Sequence, residues 1–183
     1  LGDPVGTTRT IQVDGTADGL GGAADSPSGC LDLATGTISK LTPDAASTSK
    51  AWDLCFRRDS ISVNGEVGGP RGVVAADLQA SETSGESLAN VKQETTEGAL
   101  PTFDAVTAAS LSGVVLRGDH VVSAFETGGW LDSKAFPATP TNSSWLVMAA
   151  DGTSQFLVAF SEFRNSTTSS PGAVVMHVKP VKQ

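Results

Sequence analysis

Apolar and polar residues alternate along residues 51–58, and this alternation predicts a half-buried strand. Trp52, Leu54 and Phe56 occupy every second position, while the residues between them are polar or cysteine. A period of two is typical of a strand with one face in a core and the other in solvent. We therefore expect these three side chains to point inward together.

Shorter versions of the pattern recur, and the further segments predicted as strands are 10–13, 30–33, 38–41, 61–63, 73–78, 114–116, 121–125, 145–149, 155–160 and 173–178. Asn64-Gly65 and Asp151-Gly152 are dipeptides that favour hairpin turns. Residues 43–49 are predicted as a polar connector, and the spacing of Phe103 and Val106 predicts a short helix after Pro101. The sequence therefore predicts an all-β fold, mostly antiparallel, with one or two short helices.

The composition changes at Cys30. Residues 1–29 are rich in Gly, Asp, Ala and Thr, and they are predicted as a flexible N-terminal region with one edge strand. Residues 30–183 are predicted as a single β domain. Because the chain opens at Leu1 without a charged and apolar leader, we expect any export signal to have been removed.

Charge and hydropathy exclude several classes of partner. The chain has 20 acidic and 12 basic residues and a formal net charge of −8, so phosphate backbones and anionic membrane surfaces would repel it. Arg57-Arg58 is the longest run of basic residues. No apolar run approaches the roughly 20 residues that span a bilayer. We expect a protein that binds no nucleic acid and has no transmembrane segment.

The two cysteines, Cys30 and Cys55, lie in predicted strands and are too far apart for a CxxC redox or zinc motif. A disulfide is the simplest interpretation, and it would place the protein outside the cytoplasm. Two buried free thiols are the alternative.

Three blocks of sequence resemble the HmuY family of bacterial haem-carrying, surface-attached or secreted lipoproteins. They are Cys30-Leu31-Asp32-Leu33-Ala34-Thr35-Gly36, Trp52-Asp53-Leu54-Cys55-Phe56-Arg57-Arg58, and Ile61-Ser62-Val63-Asn64-Gly65, which precedes a glycine-rich loop. The hairpin around Asp151-Gly152 is similar to the family's closing strands. The resemblance covers most of residues 30–178 and implies an all-β fold located in the periplasm, on the outer-membrane surface or outside the cell.

The resemblance also implies haem as the ligand, held axially by side chains such as His or Met. In this chain it makes His120 and His177 the candidate iron ligands, with Met148 and Trp130 as further candidates for haem contact. The alternative for each histidine is a surface or hydrogen-bonded polar residue. The methionines, including Met176, are equally suited to filling gaps in a core.

No arrangement of residues matches a catalytic motif. The chain lacks a G-x-S-x-G nucleophile turn and a phosphate-binding glycine loop, so we expect a protein that is not an enzyme. The leading hypothesis is an extracytoplasmic ligand-binding protein resembling HmuY haem carriers. The alternative is a cofactor-free interaction or accessory subunit of a bacterial cell-surface or periplasmic assembly. A minor hypothesis is carbohydrate binding through an exposed Trp130.

Overall fold

The computed structural model describes residues 7–18, 22–78, 103, 106, 111, 114–119, 123–125, 129–132, 134–135, 137–141, 143–164 and 172–181. In chain order, the elements are β1 (Arg9–Asp14), β2 (Ser28–Leu31), β3 (Ile38–Leu41), α1 (Pro43–Thr48), β4 (Leu54–Arg57), β5 (Ser60–Val63), β6 (Val74–Asp77), β7 (Leu131–Asp132), β8 (Thr139–Pro140), β9 (Ser144–Met148), β10 (Gln155–Arg164) and β11 (Ala173–Val181). The prediction of an all-β, mostly antiparallel fold with few helices is confirmed.

Two antiparallel sheets contain most of the strands. The larger has the order β1-β11-β10-β9-β6, and the smaller has the order β3-β2-β4-β5. A two-stranded ribbon, β7-β8, accompanies them. The predicted edge strand at 10–13 is confirmed as β1, which pairs with β11 from Arg9↔Val178 to Asp14↔Ala173.

The main core lies between the two sheets. On β11, Val174, Met176 and Val178 are fully buried, while the residues between them belong to the opposite face. They join one cluster with Leu54 and Phe56 of β4 in the smaller sheet. Period-two burial on both sheets therefore produces a single shared core.

A second apolar layer covers the other face of the larger sheet. Leu146, Leu157 and Ala159 are buried there against Phe103 and the partly buried Leu116. The stretch 114–116, predicted as a strand, is not one. Leu116 packs on the face of the larger sheet, and Arg117, the residue that follows, forms an isolated bridge with Ala75 of the edge strand β6.

The cysteine prediction is confirmed. Cys30 of β2 and Cys55 of β4 occupy paired positions in the smaller sheet and form a disulfide. Trp52 packs beside this disulfide with Ala46 of α1, in a cluster separate from the main core. The prediction that Trp52 points inward together with Leu54 is therefore wrong.

The reason for this difference is that the chain bends before β4 begins at Leu54. Asp53 is buried in the bend, and its carboxylate accepts a hydrogen bond from the backbone N–H of Leu33 at 2.9 Å. Parity along residues 51–58 therefore does not continue through one straight strand, and Trp52 is buried on the opposite side of the sheet.

The predicted connector at 43–49 contains α1. The Thr42 side chain accepts a hydrogen bond from the N–H of Ala45, and Pro43 occupies the first turn. Both are standard N-terminal signals of a helix. No helix among the described residues is long and apolar enough to cross a membrane.

Candidate functional site

His177 lies near the middle of β11, on the face of the larger sheet that points away from the main core. Its register partners are Thr10 of β1 and Ala159 of β10. The side chain is partly buried, and its Nδ1 is 3.2 Å from the Thr10 hydroxyl oxygen. Its Nε2 makes no hydrogen bond to a described residue, so this nitrogen is available to a ligand.

Met148, at the end of β9, is partly buried on the same face as His177. It pairs with Gln155, whereas His177 pairs with Ala159, so the two are two strands apart and offset by four residues. With usual strand spacings this separation is roughly 16 Å. Both side chains leave the sheet in the same direction, and at this separation the two residues do not form one compact site.

Trp130 lies in the main core with 2% of its surface exposed. Its ring centroid is 5.0 Å from that of Phe160 and 5.5 Å from that of Phe163, and its indole N–H donates to the carbonyl of Asp59. The exposed Trp130 required for carbohydrate binding is therefore absent, because the indole fills the space between the sheets.

His120 lies outside the described residues, but its neighbour Asp119 is described and is buried. The two carboxylate oxygens of Asp119 accept hydrogen bonds from the backbone N–H groups of Val63 at 2.9 Å and Ala124 at 2.8 Å. Burial raises the pKa of Asp119, and these hydrogen bonds oppose the shift. Within the described part of the chain, no three His, Cys, Asp or Glu residues form a group suited to a metal ion.

The backbone of the glycine-rich loop 65–72 packs closely against neighbouring residues of the same chain. A Cβ at Gly65 would lie 2.2 Å from the carbonyl oxygen of Val73, and one at Gly69 would lie 2.1 Å from Oδ1 of Asn64. Larger residues at either position would force the backbone to move. These glycines therefore serve close internal packing, which explains them without a bound ligand.

Asn64 anchors this loop to the preceding segment. The side chain is fully buried, and its Nδ2 donates to the carbonyls of Ser49 and Trp52. Its Oδ1 accepts from the N–H of Arg71 at 3.2 Å. All three bonds are made to backbone groups outside the regular strands, so the amide replaces missing sheet hydrogen bonds.

A buried ion pair lies next to Asn64. The second carboxylate oxygen of Asp53 is 3.5 Å from the Arg71 guanidinium and has no hydrogen bond to a described residue. Burial raises the pKa of Asp53, while the Leu33 N–H and the charge of Arg71 lower it. The pair therefore connects the loop, through Arg71, to the bend that contains Asp53.

A cleft of about 320 Å³ opens on the outer face of the smaller sheet. Its lining combines polar and apolar side chains: the polar ones include Arg57 of β4, Ser60 and Ser62 of β5 and Ser28 of β2, and the apolar ones are Pro43, Ala46, Trp52, Cys55 and Val67. Sequence reasoning did not identify this site. The sequence feature that indicates it is the alternation along β5, in which Ser60 and Ser62 alternate with the buried Ile61 and Val63.

Solved structures with similar architecture span the whole chain. A candidate lipoprotein of Bacteroides fragilis has a TM-score of 0.52 at 18% identity, covering 99% of this chain and 94% of that one. A candidate HmuY-like haem-binding protein of Bacteroides vulgatus has a TM-score of 0.52 at 16% identity, covering 100% of both chains. The HmuY analogue of Tannerella forsythia, in its apo form, has a TM-score of 0.51 at 13% identity, covering 98% and 100%.

No protein-family model and no curated protein sequence matches this chain. The structural similarities nevertheless extend over both sheets and show that the chain has an HmuY-like fold, as its sequence motifs predicted.

Proposed function

We propose that the protein is an extracytoplasmic, non-catalytic binding protein whose ligand is haem. The observation that carries the proposal is the end-to-end similarity to an HmuY-like haem-binding protein, with 100% of both chains covered. The Cys30–Cys55 disulfide supports a location in an oxidising compartment such as the bacterial periplasm or the cell surface.

The proposal assigns iron ligation to a histidine. Of the described candidates, His177 has a ring nitrogen without a hydrogen bond to a described residue, and an imidazole nitrogen is a common axial ligand of haem iron. His120 is the second candidate. Because Met148 and His177 do not converge, we do not expect them to ligate the same iron, and each histidine has to be tested separately.

Haemin titration followed by absorbance tests the proposal. We expect the native protein to shift and sharpen the Soret band at a one-to-one ratio, and we expect His120→Ala or His177→Ala to alter that band. Met148→Leu, which conserves side-chain volume, is the matched control and should leave the spectrum unchanged if a histidine is the ligand. A haemin spectrum that native protein does not change would overturn haem as the ligand.

The alternative to this proposal is a cofactor-free interaction or accessory subunit of a bacterial cell-surface or periplasmic assembly. It predicts an unchanged haemin spectrum together with stoichiometric co-purification of one partner from the native envelope. The haemin titration therefore separates the two functions.

A further inference from the structure

The outer face of the smaller sheet presents a row of polar side chains across three strands. Ser60 of β5 is the register partner of Arg57 on β4. Gly29 of β2 pairs with Phe56, so Ser28 occupies the position beside Arg57 on the other side. Strand register thus places Arg57 between two serines on neighbouring strands, and all three residues line the cleft.

The charge of Arg57 is not neutralised within the described part of the protein. The ion pairs found there are Asp14–Lys40 and Asp53–Arg71. One Nη of Arg57 donates to the carbonyl of Ala23 at 3.0 Å, which holds the side chain in place. The remaining guanidinium N–H groups can therefore donate to a bound anion, and a carboxylate matches their fork geometry.

The serines of the cleft provide neutral hydrogen-bonding groups. The hydroxyls of Ser28, Ser60 and Ser62 make no hydrogen bonds to described residues, and each can donate or accept. The volume of about 320 Å³ is at the lower end of the range for small-molecule sites. A ligand that fits this lining is small and carries hydroxyl groups as well as a negative charge.

Nearby carboxylates limit the charge that such a ligand can carry. Asp25 and Asp44 line an adjacent cleft of about 380 Å³, which shares Pro43 with the Arg57 cleft. Together with the net charge of −8 they repel polyanions. The single unpaired guanidinium therefore suits a monoanion.

We propose that this cleft binds a hydroxylated monocarboxylate of the size of one sugar ring, such as a hexuronic acid. Arg57 binds the carboxylate, and Ser28, Ser60 and Ser62 bind the hydroxyl groups. The site lies on the smaller sheet, whereas His177 and Met148 lie on the larger one, so it is separate from these two candidates for haem contact.

A titration of the full chain with glucuronate, followed by two-dimensional ¹H–¹⁵N NMR, tests the proposal. The Trp52 indole N–H, which donates to the Ala46 carbonyl at 3.1 Å, lines the cleft and is a local reporter. We expect its signal and the amide signals of Ser60 and Ser62 to shift in a saturable manner. Glucose, which lacks the carboxylate, should bind about tenfold more weakly.

Arg57→Gln should weaken glucuronate binding about tenfold, because it removes the charge and retains a polar side chain. Lys134→Gln is the matched control, since Lys134 is exposed, lies outside the cleft and carries the same charge. This control should bind glucuronate like the native protein. Equal losses in the two variants would indicate a general charge effect and would overturn the proposal.

A paired Ser60→Ala and Ser62→Ala variant keeps the test decisive if Arg57→Gln fails to fold. Both serines are partly exposed, so the double variant should fold and should bind glucuronate about fivefold more weakly. The proposal is overturned if glucuronate leaves the Trp52 indole signal unchanged, or if glucose binds as tightly as glucuronate.

Discussion

Asn64 is the residue at which local sequence and tertiary structure differ most clearly. Asn64-Gly65 predicts a tight hairpin turn with positive φ at both residues, yet the left-handed residue after β5 is Glu66, with φ 54°. The Asn64 side chain instead binds three backbone groups, at Ser49, Trp52 and Arg71. These partners are up to 15 residues away in sequence, so the turn preference of the Asn64-Gly65 dipeptide cannot predict these hydrogen bonds.

The same limit applies to the candidate site. Alternation along β11 places His177 on the face opposite to that of Met176. Whether a second ligand faces it depends on strand order and register, which pair it with Thr10 and Ala159. A single sequence does not specify those pairings.

Asp14 provides a residue-scale prediction about pH. The hydrogen bond from Lys40 is the largest cause that lowers the pKa of Asp14 to about 2, with further contributions from Thr16. A lowered pKa means that the ionised carboxylate stabilises the folded state above the usual pKa of 3.8, and that this stabilisation is lost as the pH falls through about 2. The pair is solvent-exposed, with side-chain exposures of 57% for Asp14 and 45% for Lys40, so its contribution is small.

We therefore expect Asp14→Asn to lower the free energy of unfolding at neutral pH by about 0.5 kcal/mol, and we expect this difference to vanish as the pH falls from about 4 to about 2. Urea unfolding followed by tryptophan fluorescence measures both values. Asp25→Asn, at an exposed carboxylate, is the control and should show no difference at either pH. A deficit that persists in acid would show that the ion pair is not its source.

At the scale of elements, one of the two dipeptides that favour hairpin turns connects two paired strands as predicted. Asp151-Gly152 connects β9 to β10 as expected, and Asp151 accepts hydrogen bonds from the N–H groups of Thr153 at 2.8 Å and Ser154 at 2.7 Å. The helix α1 was missed although Thr42-Pro43 carries its start signal, because its polar residues lack apolar periodicity. The element depends on one buried residue, Ala46, and on its cap.

The Asp151-Gly152 turn gives an element-scale prediction. Gly152 has φ 70°, and a Cβ added there would contact nothing within 4 Å. Gly152→Ala should therefore cost about 1 kcal/mol from backbone strain alone. Gly72 also has open space around it, but its φ is not in the left-handed region, so Gly72→Ala should be neutral or slightly stabilising.

Thermal unfolding of both variants beside the native protein measures the difference. If Gly152→Ala is no less stable than Gly72→Ala, the prediction is wrong. The turn would then relax to another conformation at no cost in free energy, and the positive φ of Gly152 would not contribute to the stability of this hairpin.

At the scale of the whole molecule, the sheet order combines segments that are distant in sequence. β11, at the end of the described chain, lies between β10 and β1, and β6 pairs with β9. Alternation predicts which residues are buried but not which strands are neighbours. The class of fold was therefore predictable, whereas the pairing of β1 with β11 required the structure.

β1 connects the N-terminal region to the core shared by both sheets. Val13 is fully buried in the main cluster with residues of the larger and smaller sheets. A Cβ at Gly29 of β2 would lie 2.8 Å from Val13 Cγ1, so the two sheets are in close contact at this point. The domain boundary predicted at residue 30 can therefore be tested by measuring how much Val13, which precedes it, contributes to the free energy of unfolding.

Val13→Ala should lower the free energy of unfolding by about 2 kcal/mol, because it removes two buried methyl groups and leaves a cavity. Gln12→Ala changes the exposed neighbour on the same strand and should shift stability by less than about 0.5 kcal/mol. Urea unfolding should remain a single transition in both variants, since Val13 packs in the core common to both sheets. If Val13→Ala were as stable as Gln12→Ala, residues 9–14 would contribute nothing to that core, and the β domain would begin at Cys30 in energetic terms as well as in sequence.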